Sequence, residues 1–136
     1  MLALSVIALI AGCSPEGPPF VDAGNTYDQT SVMTLVESVD TTALASTPSE
    51  KSVDLRHKAL TSLRSKGDRA VQVADMLTKT FSAETRAVPV YFERATFNDT
   101  PAVILIEAAG PRDGVLSARR VWVLNEDGGV LYMGSR

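Results

Sequence analysis

Cysteine is all but missing from this chain: Cys13 stands alone in 136 residues. One thiol cannot close an internal disulfide and cannot build a thiolate-rich metal site. Histidine is equally scarce. His57 is the only one, so no His-x-x-x-His pair exists to hold a metal, and no spaced aspartate series of the calcium-loop kind replaces it. Also missing are a Gly-x-Ser-x-Gly elbow to display a nucleophile and a glycine-rich loop to cradle phosphate. No cofactor or metal is therefore expected. Basic blocks are absent as well: the 13 Lys and Arg are scattered among 16 Asp and Glu, for a net charge of −3. A nucleic-acid partner calls for a basic surface and is not expected.

What is present begins at the N-terminus. Leu2 to Ala11 is apolar apart from Ser5. The run is too short to cross a bilayer, which takes about 20 residues. It has the length of a secretory signal's apolar region, roughly 7–15 residues followed by small ones. It ends Ile10-Ala11-Gly12-Cys13. An aliphatic residue, two small residues and a cysteine resemble the lipobox of bacterial lipoproteins. The resemblance implies cleavage before Cys13, a diacylglycerol on its sulfur, and attachment to the outer side of a bacterial membrane, at the cell surface or facing the periplasm. It is confined to the signal and extends to no family for the rest of the chain. A signal normally opens with Lys or Arg, whereas Met1 is followed directly by apolar residues, so the start of the signal is expected upstream or trimmed. The competing reading is a buried N-terminal strand or helix with an incidental cysteine. The proline-rich polar stretch that follows is a poor continuation for a core element.

Composition divides the chain into a signal peptide over 1–12, a flexible Pro/Gly-rich tether over 13–28 and a single domain over 29–136. With 45% hydrophobic and 21% charged residues, the domain has ordinary globular composition and length for one modest core. Val32, Leu35, Val36 and Val39 fall on one helical face, with a strand as the competing assignment because of their β-branching. Thr47-Pro48-Ser49-Glu50 reads as a capping box opening a helix over 48–66, with Val53, Leu60 and Leu63 inward. Gly67 ends that helix and Asp68 caps another over 69–81, with Ala70, Val73, Ala74, Leu77 and Phe81 inward. Strands over Val88–Phe97 and Pro101–Ala109 flank Asn98-Asp99, and strands over Val121–Asn125 and Val130–Met133 flank Asp127-Gly128. Both dipeptides read as two-residue hairpin turns. Helices first and antiparallel strands afterwards mean α+β, with N-terminal helices packed on one face of a four-stranded antiparallel β-meander.

Two-residue turns fix the register. They set Phe92 against Leu105, Tyr91 against Ile106, Trp122 against Met133, Leu124 against Leu131 and Val123 against Tyr132. Both sheet faces come out largely apolar. One layer of helices covers one face, so the other needs the Val32–Val39 segment, a second copy, a partner protein or the membrane surface. Tyr91, Trp122, Leu124, Met133 and Arg120 are the candidate ligand- or partner-binding residues, and a homodimer through a sheet face is one expected use of them.

Catalytic groups are harder to assemble. His57 lies three residues after Asp54 on a polar stretch of helix and is expected to face solvent, with no serine placed to complete a triad. Glu93 and Glu107 fall on opposite sheet faces, which disqualifies them as a glycoside-hydrolysing pair. Ion pairs with Arg94, Arg119 or Arg120 are their expected role, and Arg119 and Arg120 themselves point to opposite faces. No catalytic residue is assigned and no enzymatic activity is expected. The expectation is a membrane-anchored extracytoplasmic lipoprotein, a binding or accessory module for an envelope protein or an apolar ligand. The alternatives are a small hydrolase-type enzyme with a dispersed site, or a purely structural subunit of a membrane complex.

Overall fold

A computed structural model of the chain describes residues 17–136. Cys13, its lipobox and the signal run lie outside the described residues. Helix α1 spans Gln29–Ser38. Asp28 accepts from the Ser31 amide at 2.9 Å, while its own amide donates to Ser31 Oγ at 2.9 Å. This reciprocal cap satisfies two otherwise orphaned groups and favours helix over strand despite the β-branched residues. Val32 and Val36 are buried on its inner face.

The next helix starts later than the Thr47 signature suggests. The Thr47 carbonyl accepts from the Leu116 amide and the Ser49 amide donates to the Gly114 carbonyl, both at 2.9 Å. Pro48 is thereby held extended, with ψ 138°, in a bridge to Val115. A backbone tied sideways cannot also open a helix. A 3₁₀ turn over Ser49–Lys51 intervenes, and α2 runs Ser52–Arg64. Gly67, at φ 116°, makes the sharp turn into α3, Asp68–Thr80, a conformation that side chains resist. Ala70, Val73, Ala74 and Leu77 face inward as expected.

Six strands form one mixed sheet. Strands β3 (Ala87–Phe97), β4 (Thr100–Ala109), β5 (Ala118–Asn125) and β6 (Val130–Ser135) pair consecutively and antiparallel. The expected four-stranded antiparallel meander is thus only part of the sheet. Strands β1 (Phe20–Val21) and β2 (Thr26–Tyr27) both run parallel to β3 along its outer edge. From Phe20 onward, then, the stretch read as tether belongs to the sheet. Pro19, which has no N–H to give, still accepts from the Phe92 amide at 3.1 Å. The Asn25 and Tyr27 carbonyls accept from Thr96 and Asn98, each at 3.0 Å. Phe20 and Tyr27 give this polar stretch apolar area to bury, and both pack against core clusters.

Helices cover both faces of the sheet: α1 takes the face for which the Val32–Val39 segment is one candidate cover, so the N-terminal helices are not all packed on one face as expected. Leu63 of α2 and Ala70, Val73, Ala74 and Leu77 of α3 cluster with Phe92, Val103, Leu105 and Leu124. Val32 and Val36 of α1 cluster with Ile104, Ile106, Val121 and Val123, the alternate residues of the same strands. Alternation along a strand sends neighbours to opposite faces, and each face received its own apolar stripe.

The first hairpin turn is as expected, with Asn98 and Asp99 at φ 47° and 67°, the type I′ pattern. The second loop is a residue longer than read. The Asn125 amide donates to the Gly129 carbonyl at 2.8 Å and the Gly128 amide to the Asn125 carbonyl at 3.0 Å, with Gly128 at φ 92°. Leu124 therefore faces Val130 and not Leu131. An irregularity then absorbs one residue, so that Val123 meets Tyr132 and Trp122 meets Met133 as expected.

Candidate functional site

Each face of the sheet buries one carboxylate, and the two are held differently. Glu107 of β4 is fully buried on the α2–α3 face. Arg56 of α2 reaches it with Nη1 to Oε2 at 2.5 Å and also donates to the Ala87 carbonyl at 3.0 Å. On the other oxygen, Trp122 Nε1 donates at 3.0 Å and Arg120 Nε at 3.3 Å. Arg56 is itself only 3% exposed. Its guanidinium carbon lies 5.4 Å from the Phe81 ring centroid, so its Nη2, which has no hydrogen-bond acceptor, sits in a cation–π environment. Phe81 meets Trp122 edge-on at 5.2 Å, and the Arg120 guanidinium lies 5.7 Å from the Trp122 ring. A paired, hydrogen-bonded charge cluster under an aromatic lid is how a protein tolerates charge in its interior.

Glu93 of β3 is also fully buried, on the α1 face, and no cation pairs with it among the described residues. Its Oε1 accepts from the Tyr27 hydroxyl at 2.8 Å and the Tyr91 hydroxyl at 2.6 Å, and its Oε2 from Asn25 Nδ2 at 2.8 Å. Burial first, then the hydrogen bond to Glu93 and its charge, push both tyrosine hydroxyls far above their usual range. The cluster fastens the β1–β2 segment to β3 from below. Asp22, paired with Arg94 at 3.5 Å and Arg69 at 2.6 Å, fastens the same segment further.

The expectation that Glu93 and Glu107 are ion-paired with Arg94, Arg119 or Arg120 is met only by Arg120 with Glu107. Arg94 pairs with Asp22 and Glu126. Arg119 turns to the α1 side and donates to Thr41 Oγ1 at 3.2 Å and the Glu37 carbonyl at 3.3 Å, opposite to Arg120 as read.

The five candidate binding residues do not form one patch. Leu124 is fully buried beneath α2 and α3 and cannot contact a partner. Tyr91 lies on the α1 face, committed to Glu93. Trp122, Met133 and Arg120 do share the α2–α3 face: Trp122 and Met133 are cross-strand partners, Arg120 is 32% exposed and Met133 is 50% exposed. Val130 at 56% and Leu131 at 37% join Met133 as exposed large apolar residues, and Val115 is the only other one among the described residues. Val130, Leu131 and Met133 all lie in β6, which among the described residues has β5 on one side and no strand on the other. No proline or charged residue interrupts Val130 to Ser135. On the α1 side, Met33 approaches Gly134 so closely that a Cβ there would lie 2.9 Å from its sulfur.

Cavities of about 880 and 560 Å³ flank α2. The larger is bordered by Leu44, Leu55, His57 and Val88; the smaller by Arg56, His57, Leu60, Leu77 and Phe81. His57 is exposed, as the polar stretch predicts. Among the described residues, no group of His, Cys, Asp and Glu could hold a metal ion, and no helix is long and apolar enough to cross a membrane. Compared with protein-family models, curated proteins and solved structures, the chain matches none.

Three groups escaped the sequence reading. Arg56 was hidden because a charged residue counts as solvent-facing, although Ser52, Arg56, Ala59 and Leu63 are all buried and repeat at helical spacing. Asn25 and Tyr27 were hidden in the tether. Val130 and Leu131 were visible as strand residues, but their exposure depends on β6 being an edge.

Proposed function

We propose that this protein is a membrane-anchored binding module that recognises a protein partner through the free edge of β6. The observation that carries this reading is the concentration of Val130, Leu131 and Met133, three of the four exposed large apolar residues described, on one edge strand. An edge strand presents a row of free N–H and C=O groups, a template on which another chain can add a strand. Trp122 and Arg120 lie beside Met133 and supply the aromatic and guanidinium groups that are enriched where binding energy concentrates. A photo-reactive cross-linker at position 133, in cells that make the protein, tests the reading. It should give a discrete adduct that disappears with Leu131→Lys. No adduct beyond that from the same cross-linker at exposed Glu84 would refute it.

Anchoring is the second part of the proposal, and the apolar run and Ile10-Ala11-Gly12-Cys13 support it. A lipid on Cys13 would leave only residues 14–16 before Gly17. Four peptide steps reach at most about 14 Å, so the domain would sit against the headgroups and not at the end of a long leash. Cys13→Ala should release the protein from the membrane fraction and abolish incorporation of labelled fatty acid. Unchanged attachment would overturn this part.

A further inference from the structure

We infer that the partner at the β6 edge is a second copy of this chain, added antiparallel about a two-fold axis so that the two sheets become one. The inference rests on the reading of β6 as a binding edge and names its occupant.

Charge placement is the first support. The strand itself is neutral, but Glu126, which also touches Arg94 at 3.4 Å, and Asp127 precede it, and Arg136, half-exposed while paired with Glu37 at 2.7 Å, follows it. Antiparallel pairing of two copies brings the acidic start of each strand beside the basic end of the other, twice. Parallel pairing would set like charges together at both ends. The same segment is therefore complementary to itself in one orientation only, which is the condition for a two-fold interface.

Backbone pattern is the second. Arg119 and Arg136 exchange both of their hydrogen bonds at 2.9 Å. Antiparallel alternation then turns the Gly134 and Tyr132 peptide groups toward β5 and leaves those of Met133 and Ser135 pointing away from it. The outward groups are thus those of Met133 and Ser135, both beyond the irregularity in the β5–β6 pairing. With Tyr132 on the axis, Met133 of one copy lies opposite Leu131 of the other and the two apolar side chains cover each other, while Gly129, opposite Ser135, keeps its carbonyl on Asn125. Arg136 then lies beside Gly128 of the second copy, next to its Asp127.

Sedimentation of the full chain in mild detergent, from about 1 to 100 µM, is the test. A species of twice the 14.5 kDa chain mass is expected, with Met133→Lys and Leu131→Lys each converting it to monomer without loss of helical and strand circular dichroism. Arg136→Glu should weaken the dimer roughly two- to fivefold at low salt, the size of an exposed ion-pair effect, and Arg136→Glu combined with Asp127→Arg should restore it. A monomer throughout, or a dimer indifferent to Met133→Lys, overturns the inference. The position-133 cross-linker separates the two levels. An adduct with another protein would leave the edge reading standing and remove the second copy; no adduct would remove both.

Discussion

Substituting Arg56 tests whether the buried cluster on the α2–α3 face is the keystone its geometry suggests. Arg56→Met keeps the apolar stem and removes the guanidinium. Glu107, fully buried, would lose a partner at 2.5 Å and keep Trp122 at 3.0 Å and Arg120 at 3.3 Å. Removing one member of a buried pair costs about 3–5 kcal/mol because the other charge is stranded. With two donors still in place, the low end applies, about 3 kcal/mol. Against a total stability of roughly 5–15 kcal/mol, this is a large fraction. At a urea slope of about 1–3 kcal/mol/M, it lowers the midpoint by about 1–3 M. Glu107→Leu should cost a similar amount, since it leaves Arg56 only the Ala87 carbonyl and the Phe81 ring. The double variant, apolar at both positions, should recover most of the loss, to within about 1–2 kcal/mol of the parent, because partly exposed Arg120 can turn to water and only the Trp122 indole N–H loses its acceptor. The single tryptophan touches Glu107, so its emission during urea unfolding, checked against circular dichroism, reports the transition at the site itself. A double variant as unstable as the two singles combined would refute the coupling.

Gly110→Ala should destabilise by about 3 kcal/mol, as overpacking against immovable backbone does, because its Cβ would lie 1.8 Å from the Val115 carbonyl oxygen. Gly24→Ala, with nothing within 4 Å but φ +75°, should cost only about 1 kcal/mol of backbone strain; equal losses in thermal unfolding would contradict this contrast. Tyr27 and Tyr91 are raised in the folded state, so above about pH 10 the unfolded chain releases protons that the folded chain retains, and stability falls with rising pH. Tyr91→Phe should flatten that alkaline slope in urea titrations between about pH 9 and 11.5, and an unchanged slope would count against it. Asn25→Asp sets a second carboxylate against Glu93, costing about 2 kcal/mol at neutral pH. The loss should shrink as pH falls through the carboxylate range, and a pH-independent loss would show that geometry and not charge is responsible.

Long periodic segments carried their own structure, and short ones depended on distant partners. Val32 to Val39, the α3 stripe and the β3–β4 pairing follow from spacing and turn residues close in sequence. Asn98-Asp99 fixes its register outright. Asp127-Gly128 misleads by one residue, since Gly129 completes a longer loop, yet the extra residue is absorbed before Tyr132 and the pairing of Trp122 with Met133 survives. Phe20–Val21 and Thr26–Tyr27 are too short to show any period, and only the vacant edge of β3 makes strands of them. Thr47 has the residues of a helix cap, but a bridge to residues 114–116, far along the chain, claims its carbonyl. Arg56 repeats with Ala59 and Leu63; its burial is intelligible only once Glu107 is known to lie beneath it. At the candidate site, Met133 was found by pattern, whereas Leu124 was misplaced because both faces are covered.

The two sides of the sheet differ in a way that limits what can be assembled from it. Along β3, strands β1 and β2 occupy the margin, and Pro89, above them, has no N–H to offer. Along the outer side of β6, no strand lies among the described residues. Were two copies to meet at β6, each outer boundary would consist of two-residue strands, too short to template a further chain. Fibre growth, the hazard of an uncharged apolar edge, would then find no long second edge on which to continue, and the proposed assembly would stop at two. The eight residues from Phe20 to Tyr27, unremarkable in sequence, would act as a stopper on the far side of the molecule from the proposed contact.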